Sequence, residues 1–173
     1  TTAGFLPISF VLFLVLFLGR AWIYPWVTTP VPSKAVWLNV PFMSLRIGLG
    51  VLFLYWVAFL FSRAVLAEHQ AGGDSPAALA RRNRLSAILL ALYVVVLSLW
   101  GFDLIMTIDP IWYSGLFGGY YVVTSLYPGF ALVTFLVIRS NALGITRVSP
   151  SGIQDVAKLT FAMCVFWAYF FYS

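Results

Sequence analysis

The sequence predicts an all-α fold, a polytopic bundle of about five transmembrane helices. Hydrophobic residues make up 62% of the 173 residues and charged residues only 9%, and the mean hydropathy is +0.99. A soluble domain of this length carries more charge on its surface, so the chain needs lipid as its solvent. A helix needs about 20 apolar residues to cross the hydrocarbon. Runs of this kind cover residues 5–24, 41–63, 85–107, 116–138 and 155–172, and we expect residues 1–173 to form a single transmembrane helical domain.

Turn-forming residues separate the five runs. Three prolines between residues 25 and 32 interrupt the first connection, and Asp109 with Pro110 marks the third. Glycine, serine and proline mark the second connection at residues 72–76 and the fourth at residues 149–152. The chain starts with Thr-Thr-Ala-Gly and stops inside an apolar run, which favours an interior piece of a longer protein with a larger bundle.

The positions of the cations predict the orientation of the spans. The second and fourth connections and their flanks contain Arg63, Arg81, Arg82, Arg84, Arg139 and Arg147, whereas the first and third contain only Lys34. The positive-inside rule therefore places loops at about 64–84 and 139–154 in the cytoplasm, and loops at about 25–40 and 108–115 on the outer, periplasmic side. Trp and Tyr are frequent in the two outer loops, as is typical of residues at a membrane–water interface.

The residue counts exclude several kinds of redox and metal site. Cys164 is the only cysteine and His69 the only histidine. The chain alone can therefore provide neither the ligands of an iron–sulfur cluster nor two histidines for a haem, and we expect no cofactor or metal to be bound by it. The net charge of +5 comes from the loop cations, so we expect no nucleic-acid partner.

Four charged residues fall within or beside the apolar runs, where each is costly and so indicates a partner or a path. Arg20, Arg46, Asp103 and Asp109 all lie toward the predicted outer face, two cations and two anions at comparable depth. Arg46 lies about 8 Å from Pro41 and Asp103 about 9 Å from Asp109 along a helix, so an Arg46–Asp103 ion pair is plausible. Such a pair either joins the helices structurally or makes Asp103 part of a proton path or of the periphery of a quinone site. An unpaired acid in the membrane can carry protons, whereas a paired carboxylate is held ionised.

The third connection carries further polar candidates. Asp109 before Pro110 suits the end of one helix and the start of another, with the carboxylate capping the amides of the next helix. Alternatively, Asp109, Tyr113 and Ser114 line an entrance for protons or for a quinol headgroup. The residues alone favour neither role decisively.

The fourth span combines small residues with hydroxyl groups. Gly115 and Gly119 form a small-xxx-small pair that permits close helix approach, and Pro128 predicts a kink. Tyr120 and Thr124 add hydroxyls that could relay protons through waters. A tightly packed helix interface and a proton pathway are both compatible with this pattern.

The start of the fifth span carries one charge of each sign. Asp155 and Lys158 are three positions apart, so they share a helix face and are expected to pair locally. Asp155 also suits a helix N-terminus, where the helix dipole favours an anion. A cytoplasmic site of proton uptake is the functional alternative.

Three segments resemble a membrane protein of bacterial alternative complex III, the smaller of its relatives of polysulfide-reductase-type membrane subunits. Residues 35–42, followed by Arg46, resemble that family's YLN-P-F-x-x-R segment, and residues 101–118 resemble its FDW-x-M-S-x-D-P-x-W-x-S-T-L-F-G motif. Residues 155–159, with Phe-Trp-Ala-Tyr at 166–169 and the final Ser173, resemble its D-x-G-K-L … F-W-x-Y … S segment. The three matches are in the same order and cover about residues 35–173.

The resemblance implies a place in a larger complex of the bacterial inner membrane, which oxidises menaquinol or ubiquinol and passes electrons to a cytochrome c or an oxidase. Haem c and iron–sulfur clusters are then expected in partner subunits, both membrane and extrinsic. The family's chain is a helix bundle with about ten spans, proposed to take part in proton movement. Lipid is the other expected partner.

The matching and departing positions limit what the resemblance implies. The matching residues are Arg46, Asp103, Asp109, Tyr113, Ser114 and Lys158. The family often has histidines near the first loop and after the Asp-Pro pair, where this chain has Arg20-Ala21-Trp22 and Ile111, so their roles have no counterpart here.

The expected function is therefore that of a cofactor-free membrane subunit of a quinol-oxidising electron-transport complex, contributing a proton pathway. One alternative is a structural scaffold subunit of that complex. The other is a permease-type transporter, for which Pro128 with Gly129 is the only discontinuity in a span and no inverted repeat is visible.

Overall fold

The computed structural model describes residues 6–71, 75–145 and 147–173, and within these ranges the chain is helical and forms no strand. The helices are α1 (Leu6–Leu18), α2 (Arg20–Ile23), α3 (Pro25–Thr28), α4 (Val40–Ala71), α5 (Pro76–Trp100), α6 (Phe117–Ala142) and α7 (Pro150–Tyr172). Four helical segments are long and apolar enough to cross a membrane: Val40–Glu68, Pro76–Ile108, Phe117–Ala142 and Pro150–Tyr172. Together with the shorter apolar helix Pro7–Leu18, they confirm the prediction of a polytopic helical membrane protein.

The first predicted span is not one uniform helix. α1 has 13 residues, so it is about 20 Å long, and Gly19 separates it from the single turn of α2. The helical course then ends at Tyr24, whose backbone is extended at φ −111° and ψ 104°. The cause is Pro25, because a proline disfavours helical backbone at the residue before it.

The predicted loop at residues 64–84 is mostly helix, which corrects the boundaries of the second and third spans. α4 continues to Ala71, and α5 already begins at Pro76. Ser75 caps α5, because its hydroxyl accepts the N–H of Ala78 at 3.2 Å, and Pro76 at the first helical position needs no N–H partner. The arginines at 81, 82 and 84 therefore lie on a helix that continues into the apolar run rather than on a separate turn.

The fourth connection is shorter than predicted for a similar reason. α6 ends at Ala142 and α7 begins at Pro150, where the Ser149 hydroxyl accepts the N–H of Gly152 at 3.2 Å. Polar residues at both ends extend the helices beyond the apolar runs that predict the spans.

A π-helical turn follows α5. Residues Gly101–Ile105 form this turn, in which the Met106 N–H donates to the Gly101 carbonyl, and a 3-10 turn at Met106–Ile108 completes the segment. The π-helical hydrogen bond spans five residues and is rare in proteins, where it occurs mostly at functional sites. Asp103 lies in the middle of this turn.

The chain divides into two compact units, Thr1–Tyr113 and Ser114–Ser173. In the first, α4 packs against α5, and Tyr24, Trp26, Met43 and Ile47 form a buried cluster. The prediction of a single domain is not tested by the contacts inside either unit and stays a prediction.

In the second unit, α6 packs against α7. A Cβ added at Gly119 would lie 3.3 Å from the ring of Phe170, so the small residue permits the close helix approach predicted for this span. Gly115 meets nothing within 4 Å. Pro128 lies inside the helix, as predicted.

Candidate functional site

The ion pair predicted between Arg46 and Asp103 is present in the first unit. Arg46 Nε donates to Asp103 Oδ2 at 3.0 Å, and Nη2 donates to Oδ1 at 2.9 Å. The Asp103 side chain is 1% exposed and that of Arg46 12%. Two parallel N–H···O bonds between a guanidinium and a carboxylate give both strength and a defined orientation.

Two aromatic residues enclose the ion pair. Trp37 Nε1 donates to Asp103 Oδ1 at 3.0 Å, and the Trp37 carbonyl accepts from Arg46 Nη2 at 3.3 Å. The guanidinium carbon lies 3.9 Å from the centroid of the Trp37 ring and 4.3 Å from that of Phe42, which are cation–π distances. We call Trp37, Phe42, Arg46 and Asp103 the Asp103 cluster.

Asp103 acts only as an acceptor in this cluster. Its side-chain oxygens accept three N–H groups, two from Arg46 and one from Trp37. Acceptance at both oxygens with no donated bond is the pattern of an ionised carboxylate. This geometry suits a structural ion pair better than an acid that gains and loses protons.

Local structure at the start of α4 positions the cationic half of the cluster. The Trp37 N–H donates to the Lys34 carbonyl at 2.9 Å in the turn that precedes the helix. Asn39 Oδ1 accepts the N–H of Phe42 at 2.9 Å and so caps the first turn of α4. Phe42 and Arg46 are four positions apart, which places them on one face of this helix.

Side chains from other segments hold the π-helical turn on the anionic half. The Tyr24 hydroxyl donates to the Leu104 carbonyl at 3.1 Å, and the Thr107 hydroxyl donates to the Asp103 carbonyl at 2.6 Å. These are carbonyls for which a regular α-helix would provide an N–H partner. Tyr24 is fully buried, so this bond joins the end of the first apolar segment to the end of the third.

Asp109 does not pair with either arginine in the part of the chain that the structure describes, and it does not cap α6. Its Oδ1 accepts the N–H groups of Ile111 at 3.0 Å and Trp112 at 3.4 Å, so it closes its own loop. α6 begins after Leu116 with no side-chain cap, which corrects the expectation that Asp109 caps the next helix. The separation arises because seven residues lie between Asp109 and Phe117, too many for a capping contact.

The remaining charges near this end of the first unit have backbone partners. Lys34 Nζ donates to the Pro110 carbonyl at 2.6 Å, which joins the first and third connections. Arg20 Nη1 donates to the Phe17 carbonyl at 2.7 Å, and its guanidinium lies 4.4 Å from the Phe17 ring centroid. Of the two cations and two anions that the sequence places at one depth, only Arg46 and Asp103 form a pair.

The other predicted site residues are spread over both units. Tyr113 is highly exposed at the end of the first unit. In the second, the Ser114 carbonyl accepts the N–H of Phe117 at 3.3 Å, and Tyr120 and Thr124 lie one turn apart on α6. The Thr124 hydroxyl is buried and has no hydrogen-bond partner.

Asp155 and Lys158 form the local pair that their spacing predicts. Lys158 Nζ and Asp155 Oδ1 are 3.7 Å apart, and both side chains are mainly exposed. A pair of this kind contributes less than about 1 kcal/mol to stability.

Three polar contacts are not predicted by the sequence. Its pattern places Trp37 only among the interfacial aromatic residues, although the indole bonds Asp103. Glu68 Oε2 accepts from Arg82 Nη1 at 2.9 Å, and the side chain of Glu68 is 6% exposed with Oε1 buried and unpartnered. Glu68 is the only glutamate in the chain, a signal that could have identified it.

The third unpredicted contact joins α6 to α7. The hydroxyls of Thr134 and Thr160 share a hydrogen bond of 2.7 Å. Each also lies within hydrogen-bond distance of a carbonyl on its own helix, Phe130 at 2.9 Å and Val156 at 3.0 Å. Because each hydroxyl has one proton, the pair has two arrangements, donating toward one carbonyl or toward the other.

The site can thus join helix ends through a buried ion pair, and α6 and α7 carry a separate set of hydroxyls. Compared with known proteins, the chain matches no family model and no curated protein sequence.

Proposed function

We propose that this chain is a cofactor-free membrane subunit of a quinol-oxidising electron-transport complex of the alternative complex III type. In it, the Asp103 cluster fixes the helix ends at the outer side of the membrane. The observation that carries the proposal is the meeting of two motif segments. Residues 35–42 with Arg46, and residues 101–118, resemble the same family, and they join through Trp37, Arg46 and Asp103.

A structural role of the cluster follows from its bonding. All donors to Asp103 come from Trp37 and Arg46, and both cation and anion are largely removed from solvent. Removal of one member of a buried pair leaves an uncompensated charge, which is strongly destabilising. In the proposed subunit, the cluster holds the loop ends in the shape that partner subunits bind.

Membership of a complex is tested by purification of the full chain from its native membrane by an affinity tag. The proposal expects co-purifying membrane and extrinsic subunits, among them proteins with covalently bound haem that stain for haem in a denaturing gel. Purification of the chain alone, with normal helical content and solute movement in vesicles, would support the permease-type transporter instead.

The role of the cluster is tested with Asp103→Asn in the complex purified in that way. The structural role expects less assembled complex, with an unchanged number of protons released per electron in what does assemble. Normal assembly with fewer protons per electron would instead make Asp103 a proton carrier.

A second candidate function, a proton pathway, is favoured by the hydroxyls of α6 and α7. The Thr134–Thr160 pair has two proton arrangements, and the Thr124 hydroxyl is buried without a partner. The test is Thr160→Val, which keeps the shape of the side chain and removes the hydroxyl. A proton pathway through this pair expects normal quinol oxidation with fewer protons moved per electron. An unchanged ratio contradicts it.

A further inference from the structure

A cavity lies between α1 and α4 in the first unit. Its volume is about 270 Å³, and apolar groups line it: Phe10 and Phe13 from α1, and Gly48, Val51 and Leu52 from α4. The hydroxyls of Ser9 and Tyr55 share a hydrogen bond of 2.6 Å and join the two helices at one end of the cavity. A cavity of this volume is too small for another helix, which is about 10 Å across with its side chains.

The backbone beside the cavity is open at Gly48. A Cβ added at this glycine would meet nothing within 4 Å, so the space next to α4 is empty of protein atoms. Gly48 and Tyr55 lie about 11 Å and 21 Å along α4 from Pro41, by the rise of 1.5 Å per residue. The cavity is therefore at a depth where a membrane provides hydrocarbon chains.

An unpartnered hydroxyl lies beyond the other end of the cavity. The Ser44 Oγ atom is buried and has no hydrogen-bond partner. Ser44, Gly48, Val51 and Tyr55 are spaced by four, three and four positions, so they share one face of α4. Ser44 is about 5 Å along the helix from Pro41, near the depth of the ester groups of a lipid.

An uncompensated cation occupies the matching level of the neighbouring segment. α1 and α4 run in opposite directions along the cavity, because Ser9 meets Tyr55 and Phe13 faces Gly48 and Val51. The same register brings Arg20 to the level of Ser44. Arg20 donates to the Phe17 carbonyl, but in the part of the chain that the structure describes it has no carboxylate partner.

We propose that the α1–α4 cavity binds one phospholipid with an anionic headgroup. One acyl chain fills the cavity beside Gly48, an ester carbonyl accepts a hydrogen bond from the Ser44 hydroxyl, and the phosphate faces Arg20. The lipid thereby fills the gap between two helices that are joined at the far end by the Ser9–Tyr55 bond. This site is independent of the proposed electron-transport function, because none of its residues belongs to the Asp103 cluster.

The test uses the full chain in phosphatidylcholine nanodiscs with a small fraction of phosphatidylglycerol that carries a diazirine in the middle of one acyl chain. After photolysis, peptide mass spectrometry is expected to find the label on Phe10, Phe13 and Leu52 above the level on exposed residues of α6. Gly48→Leu fills the cavity and is expected to reduce the label to that background. Leu49→Phe, a change at the neighbouring exposed position, is the matched control and should leave the label unchanged.

The headgroup is tested by repeating the experiment with phosphatidylcholine that carries the same diazirine chain. We expect about fivefold more label from phosphatidylglycerol, the factor that one arginine near an anionic headgroup provides, and we expect Arg20→Gln to remove this preference. Equal labelling by the two lipids would contradict the anionic headgroup.

Two further results would overturn the lipid site. One is an unchanged label in Gly48→Leu, and the other is displacement of the label by a long-chain quinone, which would make the cavity a quinone site. If circular dichroism shows that Gly48→Leu does not fold, Ser44→Ala decides. It adds no bulk, and the proposal expects it to lower the label.

Discussion

Arg46 and Asp103 meet through two hydrogen bonds of 2.9 and 3.0 Å although they are 57 positions apart in the chain. Trp37 adds a third bond to the same carboxylate, and its ring covers the guanidinium. The pair thus joins the start of α4 to the π-helical turn after α5. The energetic consequences of this arrangement can be measured on the full chain in detergent or nanodiscs.

Replacement of Asp103 by Asn is expected to destabilise the fold by about 3 kcal/mol, because it leaves the Arg46 cation buried without a counter-charge. The measurement is the free energy of unfolding in mixed detergent micelles, followed by circular dichroism. The double variant Arg46→Leu with Asp103→Leu removes both charges and should regain much of the loss, since apolar replacement of a whole buried pair is often neutral. A single variant as stable as the wild type would show that the pair has no structural role.

Trp37→Phe is expected to cost about 1.5 kcal/mol, since it removes an N–H bond to a charged group while an aromatic ring remains over Arg46. The same unfolding measurement applies. Trp22→Phe is the control, because Trp22 is 95% exposed. Equal effects of the two changes would mean that the Trp37–Asp103 bond contributes nothing specific.

Tyr24→Phe is expected to loosen the π-helical turn, because the Leu104 carbonyl loses the hydroxyl that donates to it. The predicted cost is about 1 kcal/mol. Amide hydrogen exchange should become faster at residues 101–108 and stay unchanged in α7. Unchanged exchange in the turn would contradict a stabilising role for Tyr24.

Gly119→Leu is expected to destabilise the packing of α6 against α7 by about 2 kcal/mol, because the new side chain meets the Phe170 ring, already 3.3 Å from an added Cβ. Gly115→Leu is the matched change, since an added Cβ there meets nothing within 4 Å. If both variants unfold alike, the difference in free energy arises from loss of glycine rather than from helix contact.

The parts of the fold that depend on hydrophobic length could be predicted from the sequence. The four long spans follow from apolar runs, and the Arg46–Asp103 pair follows from the equal depth of two charges in neighbouring helices. Helix ends could not be predicted in the same way. Capping by Ser75 and Ser149 extends α5 and α7 into polar sequence, where hydropathy gives no signal.

The finer features of the site depend on side-chain directions that periodicity does not define. Trp37 precedes α4 in a turn, so no helical spacing indicates that its indole reaches Asp103. The π-helical turn has no marker in its residues, Gly101–Ile105, and it forms where Tyr24 and Thr107 supply donors to the carbonyls. Both features require long-range contacts, which a local sequence pattern does not contain.

Membership of a quinol-oxidising complex is best tested on the assembly purified through a tag on this chain. A reduced short-chain menaquinol or ubiquinol analogue is added, and haem absorbance is recorded. We expect rapid reduction of c-type haem in partner subunits, with less reducible haem recovered from cells that express Asp103→Asn. An assembly that contains no haem, or haem that the quinol does not reduce, would contradict the proposed function.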